Sequence, residues 1–195
     1  MRRLLQNTRG AALIEFAILC PVLLALICGT IEMGYKYTAQ TSLTGAVAQA
    51  ARMSAVTQES SEGARNAAMR KSIAAAMASY TLEPGKTLTV GPTSYDKFGD
   101  TFPEEYTDVN KNGKYDGYLP PVVAEPFVDR NGNGKWDAAI PKAANSTGEP
   151  GDVISYTATF PVAHLFGFLT GTILSGNGTT LTATAVVRNE PVKTE

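Results

Sequence analysis

Hydrophobic and polar positions divide the chain into three regimes. From Ala11 to Ile31 the sequence is apolar over 21 residues with a single charge, Glu15. At 1.5 Å rise per residue a helix of that length covers the roughly 30 Å of a bilayer's hydrocarbon. Further on, Leu43, Ala46, Val47 and Ala50 repeat at the i, i+3, i+4, i+7 spacing of an amphipathic helix, with Gln40, Thr41, Gln49 and Arg52 on other faces. A second helical stripe, Met69, Ile73, Ala76, Met77 and Tyr80, follows the candidate caps Ser60 and Ser61 and stops at Pro84 and Gly85. The period then changes to two. "TLTV" at 87–90, "VISYTATF" at 153–160 and "TLTATAVV" at 180–187 alternate apolar with Thr, Ser or Tyr, as half-buried antiparallel strands do. The expected fold is α+β: a long N-terminal transmembrane and stem helix, a second helix, and a small antiparallel sheet with inserted loops.

With 195 residues, 44% of them hydrophobic, the chain holds one ordinary domain and an appendage. The expected division is a basic leader at 1–10, a transmembrane helix at 11–34, a helical stem at 35–83 and a β-rich head at 84–195 that carries an insertion at 104–140. A net charge of -1 argues against nucleic acid as a partner. Arg2, Arg3 and Arg9 precede every acidic residue, so the positive-inside rule puts the start in the cytoplasm and everything after about residue 32 outside. The rival reading is a secretory signal, whose apolar core is shorter and ends in a small-residue cleavage site. Gly29, Thr30 and Glu32 make a poor one. Cys20 and Cys28 lie about two turns apart in the span and cannot pair within the chain, so they read as packing residues. Glu15 is the costly residue, at roughly 2.5–3.5 kcal/mol inside a spanning helix unless it snorkels or is paired.

The stretch "RGAALIEFAILCPVLLALICGTIEMG" (9–34) resembles the amino terminus of type IV pilin-like proteins, and specifically the TadE-like pseudopilins of the tight-adherence (Tad/Flp) pilus system. The resemblance implies cleavage by a prepilin peptidase on the cytoplasmic face after Gly10, a new amino terminus at Ala11, and Glu15 and Phe16 as the fifth and sixth mature residues. Ala11 and Glu15 then stand at i, i+4, where side chains share a helix face. In the family the glutamate pairs with the new amine of a neighbouring subunit. Pro21 and "GTIEMG", Gly29 to Gly34, match the family as well, and the tail resembles it loosely: a strand, an apolar connection and a last Thr/Ala/Val strand. The implied partners are the membrane, the prepilin peptidase, other pilins and the Tad assembly platform. The implied setting is the bacterial inner membrane, single-pass, with the carboxy-terminal domain periplasmic or in an extracellular pilus.

The middle of the chain departs from that pattern. "EEYTDVNKNGKYD" (104–116) and "EPFVDRNGNGKWD" (125–137) repeat at an offset of 21 residues, each containing D-x-N-x-N-G-x-x-D. These match positions 1, 3, 5, 6 and 9 of the EF-hand calcium loop: Asp108, Asn110, Asn112, Gly113 and Asp116, then Asp129, Asn131, Asn133, Gly134 and Asp137. A hard cation needs alternate side-chain oxygens, a glycine at the sharp bend, and a backbone carbonyl at position 7, here Lys114 or Lys135. That gives five ligands where calcium takes six to eight. Leu119 and Ile140 stand where the bidentate glutamate is expected, and Glu104 and Glu125 are candidates for the missing carboxylate, to their own loop or to the other. Pro120, Pro121 and Pro126 rule out the long flanking helices of an EF-hand. Two calcium sites are expected; a pair of Asx-rich turns without an ion is the alternative. Tyr115 and Trp136, equivalent at position 8, are expected to anchor the loops to the core.

No catalytic motif is present, neither G-x-S-x-G, H-E-x-x-H nor a P-loop. His164, the single histidine, sits in an apolar segment and reads as a packed core residue. The chain is not expected to be an enzyme. The apolar connection 161–178 either lies on the bilayer or a partner, or folds back onto the sheet. Two functions follow: a minor pseudopilin acting in pilus assembly and adhesion with a calcium-stabilised head, or a permanently anchored periplasmic calcium-binding module that never joins a fibre.

Overall fold

The computed structural model describes residues 8–56, 61–118, 123–167 and 178–190, apart from the side chains at 8, 9 and 11. Ser60, Leu119, Pro120, Pro121, most of the leader and residues 168–177 of the apolar connection lie outside the described residues.

Helix α1, Thr8–Val56, runs unbroken for 49 residues, about 73 Å at the α-helical rise. Pro21 and Gly29, Gly34 and Gly45 are bend points on sequence grounds, yet none interrupts the helix. Pro21 lacks an N–H, so one carbonyl a turn earlier loses its helical partner without ending the helix. The stretch 12–27 is exposed apart from Cys20, which is half-buried. The second half of α1 carries the amphipathic stripe: Leu43, Ala46, Val47 and Ala50 are buried together with Ala39 and Ala51. One helix therefore does two jobs, a bare apolar rod followed by a wall of the head's core.

Helix α2, Glu62–Ala76, begins at Ser61, whose Oγ accepts the N–H of Ala64. It buries Met69 and Ile73, and Met77 just beyond its end, against α1 and the sheet. Four strands follow: β1 (Thr89–Tyr95), β2 (Ala143–Ala144), β3 (Val153–Val162) and β4 (Thr179–Arg188), in the antiparallel order β2-β1-β3-β4. The first strand differs from expectation. It starts at Thr89, not at 87, and continues through Gly91 and Pro92, which the alternation alone would exclude. A proline is tolerated there because β2 pairs only with Thr93 and Ser94, so the backbone of Pro92 on that side has no ladder to join.

Val90, Ile154, Tyr156, Ala158, Phe160, Val162, Leu181 and Ala183 point from the sheet to α1 and α2 and complete one core. The Tyr156 hydroxyl, buried with the ring, is hydrogen-bonded to Ser54 Oγ at 2.8 Å, which satisfies both polar groups at the helix–sheet seam. Residues 96–142 leave the sheet between β1 and β2 as an insertion, opening with a short 3-10 turn at Phe98–Thr101.

Candidate functional sites

Three groups of residues stand out: the start of α1, the duplicated loops, and a polar cluster where α1 leaves its exposed stretch.

At the start of α1, Gly10 already lies within the helix and a Cβ there would meet nothing within 4 Å. Glu15 and Phe16 are exposed on the helix surface. Among the described residues Glu15 has no ion-pair partner. Helical geometry places Ala11 and Glu15 on one face, one turn apart.

The duplicated loops form a module with internal two-fold correspondence. In the first, Asp108 accepts the N–H of Asn112 (3.1 Å) and of Gly113 (2.7 Å), Asn110 Oδ1 accepts Asn112 N–H (3.0 Å), and Asn112 Oδ1 accepts Lys114 N–H (2.7 Å). The side-chain amides of Asn110 and Asn112 both donate to Asp116 Oδ2. The second repeats each of these bonds, with Asp129 on Asn133 and Gly134, Asn131 on Asn133, Asn133 on Lys135, and both Asn amides on Asp137 Oδ2, and adds Gly132 N–H on Asp129 Oδ1 (2.7 Å). Asp108, Asn110, Asn112 and Asp116 thus form one ring, and Asp129, Asn131, Asn133 and Asp137 another.

Positions 4 and 6 of each loop are left-handed: Lys111 (φ 61°) and Gly113 (75°), Gly132 (73°) and Gly134 (74°). Glycine is free there, and Lys111 is the one residue of the four that pays a steric cost.

The two glutamates are exchanged. Glu125 accepts Val109 N–H (2.7 Å) and Asp116 N–H (3.0 Å) of the first loop, while Glu104 accepts Arg130 N–H (2.6 Å) and Asp137 N–H (3.0 Å) of the second. Of the two arrangements open on sequence grounds, each carboxylate therefore meets the other's loop and ties its ends together. Backbone bonds follow the same symmetry: Thr107 N–H to Pro126 C=O with Val128 N–H to Glu105 C=O, and Glu104 N–H to Asp137 C=O with Glu125 N–H to Asp116 C=O.

Tyr115 and Trp136 do not reach the main core. They stack on each other at 4.8 Å and 13°, with Tyr106 edge-on to both and Phe127 edge-on to Tyr115, so the module carries its own aromatic centre. Trp136 also donates to the Glu104 carbonyl. Arg130 fastens the module to the 3-10 turn through the carbonyls of Gly99 (2.6 Å) and Phe102 (2.7 Å).

Electrostatics in the module are negative. Desolvation first, then the charges of Asp108, Glu125 and Asp116, push the Tyr106 hydroxyl above its ordinary value. The N–H of Gly134, against some desolvation and with help from Gly132, Asn133 and Asn131, holds the Asp129 carboxyl below the usual aspartate range. The donor set is oxygen only, as a hard cation requires. Among the described residues no three Asp, Glu, His or Cys side chains form a metal-binding group.

The third group escaped the sequence reading. Glu32, buried on α1, meets His164 Nδ1 at 2.9 Å and Lys36 Nζ at 3.3 Å, and its second oxygen accepts the N–H of Leu165 (2.9 Å) and Phe166 (3.3 Å). His164 is thus a half-buried partner of a carboxylate, outside the apolar core. A glutamate one turn before a lysine was the visible signal; that a histidine 132 residues away completes it was not.

An exposed apolar helix continues into an α+β head, and among the described residues one helix, Ala12–Val56, is long and apolar enough by length and composition to span a bilayer, which makes it a candidate membrane anchor. Residues 10–52 match the model of the TadE-like protein family, a similarity consistent with a membrane protein associated with Tad pilus systems. No curated protein and no solved structure matches the chain. The matched segment covers the exposed stretch of α1 and its first buried turns, Glu32 included, and stops before α2, the sheet and the duplicated loops.

Proposed function

We propose that the chain is a minor pseudopilin: a prepilin peptidase cuts after Gly10, and the processed protein acts in assembly of Tad/Flp pili and in adhesion, presenting a calcium-stabilised head outside the cytoplasm. One observation carries this reading. The TadE-like segment begins at Gly10 on an unbroken, exposed helix, with Ala11 and Glu15 one turn apart and no partner for Glu15 among the described residues. Cleavage creates an ammonium at Ala11. In a bundle of such helices, the Glu15 carboxylate of one subunit pairs with the Ala11 amine of the next, which offsets the cost of each buried charge and sets the axial register. Phe16 packs beside it in the same contact.

Calcium belongs to the same proposal. Asp108, Asn110, Asn112, the Lys114 carbonyl and Asp116 would hold one ion, and Asp129, Asn131, Asn133, the Lys135 carbonyl and Asp137 the other. Glu104 and Glu125 close the opposite loop from behind, each with a lone pair left on both oxygens. An ion bound there would neutralise the two aspartates of each loop, with the Asn amides, which donate to Asp116 and Asp137, turning their oxygens to it. The loops with their exchanged glutamates favour one alternative reading, a permanently anchored periplasmic calcium-binding module that joins no fibre.

Glu15→Ala separates the two. It leaves insertion intact or improves it, because a charge leaves the hydrocarbon. Piliation of a strain carrying only this variant is expected to fall well below the parent's. Parental piliation with normal membrane levels would leave the plain anchor as the better reading.

A further inference from the structure

Glu32 sits 21 residues beyond Ala11, about 31 Å along a straight helix and hence at the far edge of a hydrocarbon layer entered at Ala11. Below it the helix surface from Leu13 to Ile31 is apolar apart from Glu15 and Thr30, and exposed apart from the half-buried Cys20 and Cys28. At this level four observations coincide. Glu32 binds three consecutive residues of the segment following β3: the ring of His164 and the backbone N–H groups of Leu165 and Phe166. Leu165 remains 48% exposed although its backbone is fixed. Tyr37, one helical turn from the exposed Met33, is 75% exposed. Lys36, one turn on, is paired with Glu32.

An exposed apolar side chain held rigidly at the level where a spanning helix leaves the hydrocarbon, the same level at which the helix carries an exposed tyrosine and a lysine, is the arrangement of an interfacial contact. The second tether lies on the same side: Thr81 N–H donates to the Tyr35 hydroxyl, Tyr35 and Tyr80 pack at 5.5 Å, and Leu82 bridges to Val162, so the end of β3 is fixed to α1 at this height.

We infer that Glu32 is a clasp that seats the start of the β3–β4 connection on the outer boundary of the bilayer, with lipid against Leu165. The inference rests on the membrane-anchor reading of α1. Lipid is the occupant because Leu165 is held at the level of Glu32, where the apolar run Ala11–Ile31 ends. The head then meets the membrane at two points, the helix and the Leu165 turn, and cannot swivel freely about the helix axis. Glu32 acts as a positioning residue: its carboxylate turns the backbone of residues 164–166 toward α1 and fixes where Leu165 points.

The test uses the full chain in vesicles of phosphatidylethanolamine and phosphatidylglycerol, with an environment-sensitive fluorophore on single cysteines. Leu165→Cys and Thr184→Cys are placed in a Cys20→Ser, Cys28→Ser background, and native Cys20 is labelled in a Cys28→Ser background. Cys20 reports the span, and Thr184, exposed on β4, reports water. The Leu165 position is expected to be quenched by doxyl lipid labelled near the headgroup and shielded from iodide. Adding Glu32→Gln is expected to abolish that lipid quenching, with the Cys20 signal and the far-ultraviolet dichroism unchanged. If Cys20 is lipid-quenched while position 165 is quenched by iodide, the seating is wrong and the anchor stands. If Cys20 itself is open to iodide, the anchor reading falls. Shielding at position 165 without lipid quenching, lost on diluting the protein in lipid, assigns the surface to a second copy and overturns lipid as occupant. Lipid quenching unchanged by Glu32→Gln removes the role of Glu32.

Discussion

Lys111 and Gly132 occupy the same left-handed position in the two loops, and only the glycine does so without steric cost. Lys111→Gly removes about 1 kcal/mol of backbone strain, partly offset by the freedom glycine gains in the unfolded chain. A rise in melting temperature of the full chain is expected, and an equal or lower value would show that the Lys111 side chain contributes more than its backbone costs. Glu104, 1% exposed, is the more demanding case. Glu104→Gln replaces an acceptor of two backbone N–H groups with a group that can accept only one of them well, leaving the other buried and unmet at on the order of 1–3 kcal/mol. Because the partners are Arg130 and Asp137, amide exchange is expected to quicken in residues 129–137 and not in 108–116. Faster exchange in 108–116 instead would contradict the exchanged arrangement. The sequence exposed both glutamates as equivalent. Which loop each one serves depended on the antiparallel approach of Tyr106 and Phe127, a long-range bridge without a local signature.

The elements were legible where one periodicity ruled. The stripe from Leu43 to Ala50 and the alternation of β3 and β4 predicted buried faces that the fold confirms, because a helix or strand with one apolar face has one way to bury it. Pro92 hid the true extent of β1, since a proline usually ends a strand and only the shortness of β2 permits it here. Tyr115 and Trp136 misled differently: large aromatics at repeated positions suggested contact with the main core, whereas they find each other. The paired loops, with their own aromatic centre, are the element whose calcium dependence is expected. Thermal unfolding of the full chain in detergent is predicted to occur at higher temperature in calcium than in EGTA, by linkage of binding to the folded state. Asp108→Ala and Asp129→Ala are each expected to lose part of the gain. Equal melting in both conditions, with no heat of binding, would leave the loops as Asx turns.

At the scale of the molecule, α1 unites the candidate anchor and the head. Its second half is a wall of the core shared with α2, β1, β3 and β4, so any force on the exposed half passes into the sheet through a single continuous helix. That arrangement suits a subunit drawn out of a membrane by its helix, and it makes the state of the amino terminus the central question. Coexpression of the full chain with a Tad prepilin peptidase, followed by intact mass measurement of the membrane fraction, tests it most directly. The account predicts a chain that begins at Ala11, and retention of the precursor when Gly10 is replaced by a bulkier residue. A chain that keeps residues 1–10 beside an active peptidase would contradict the pseudopilin reading.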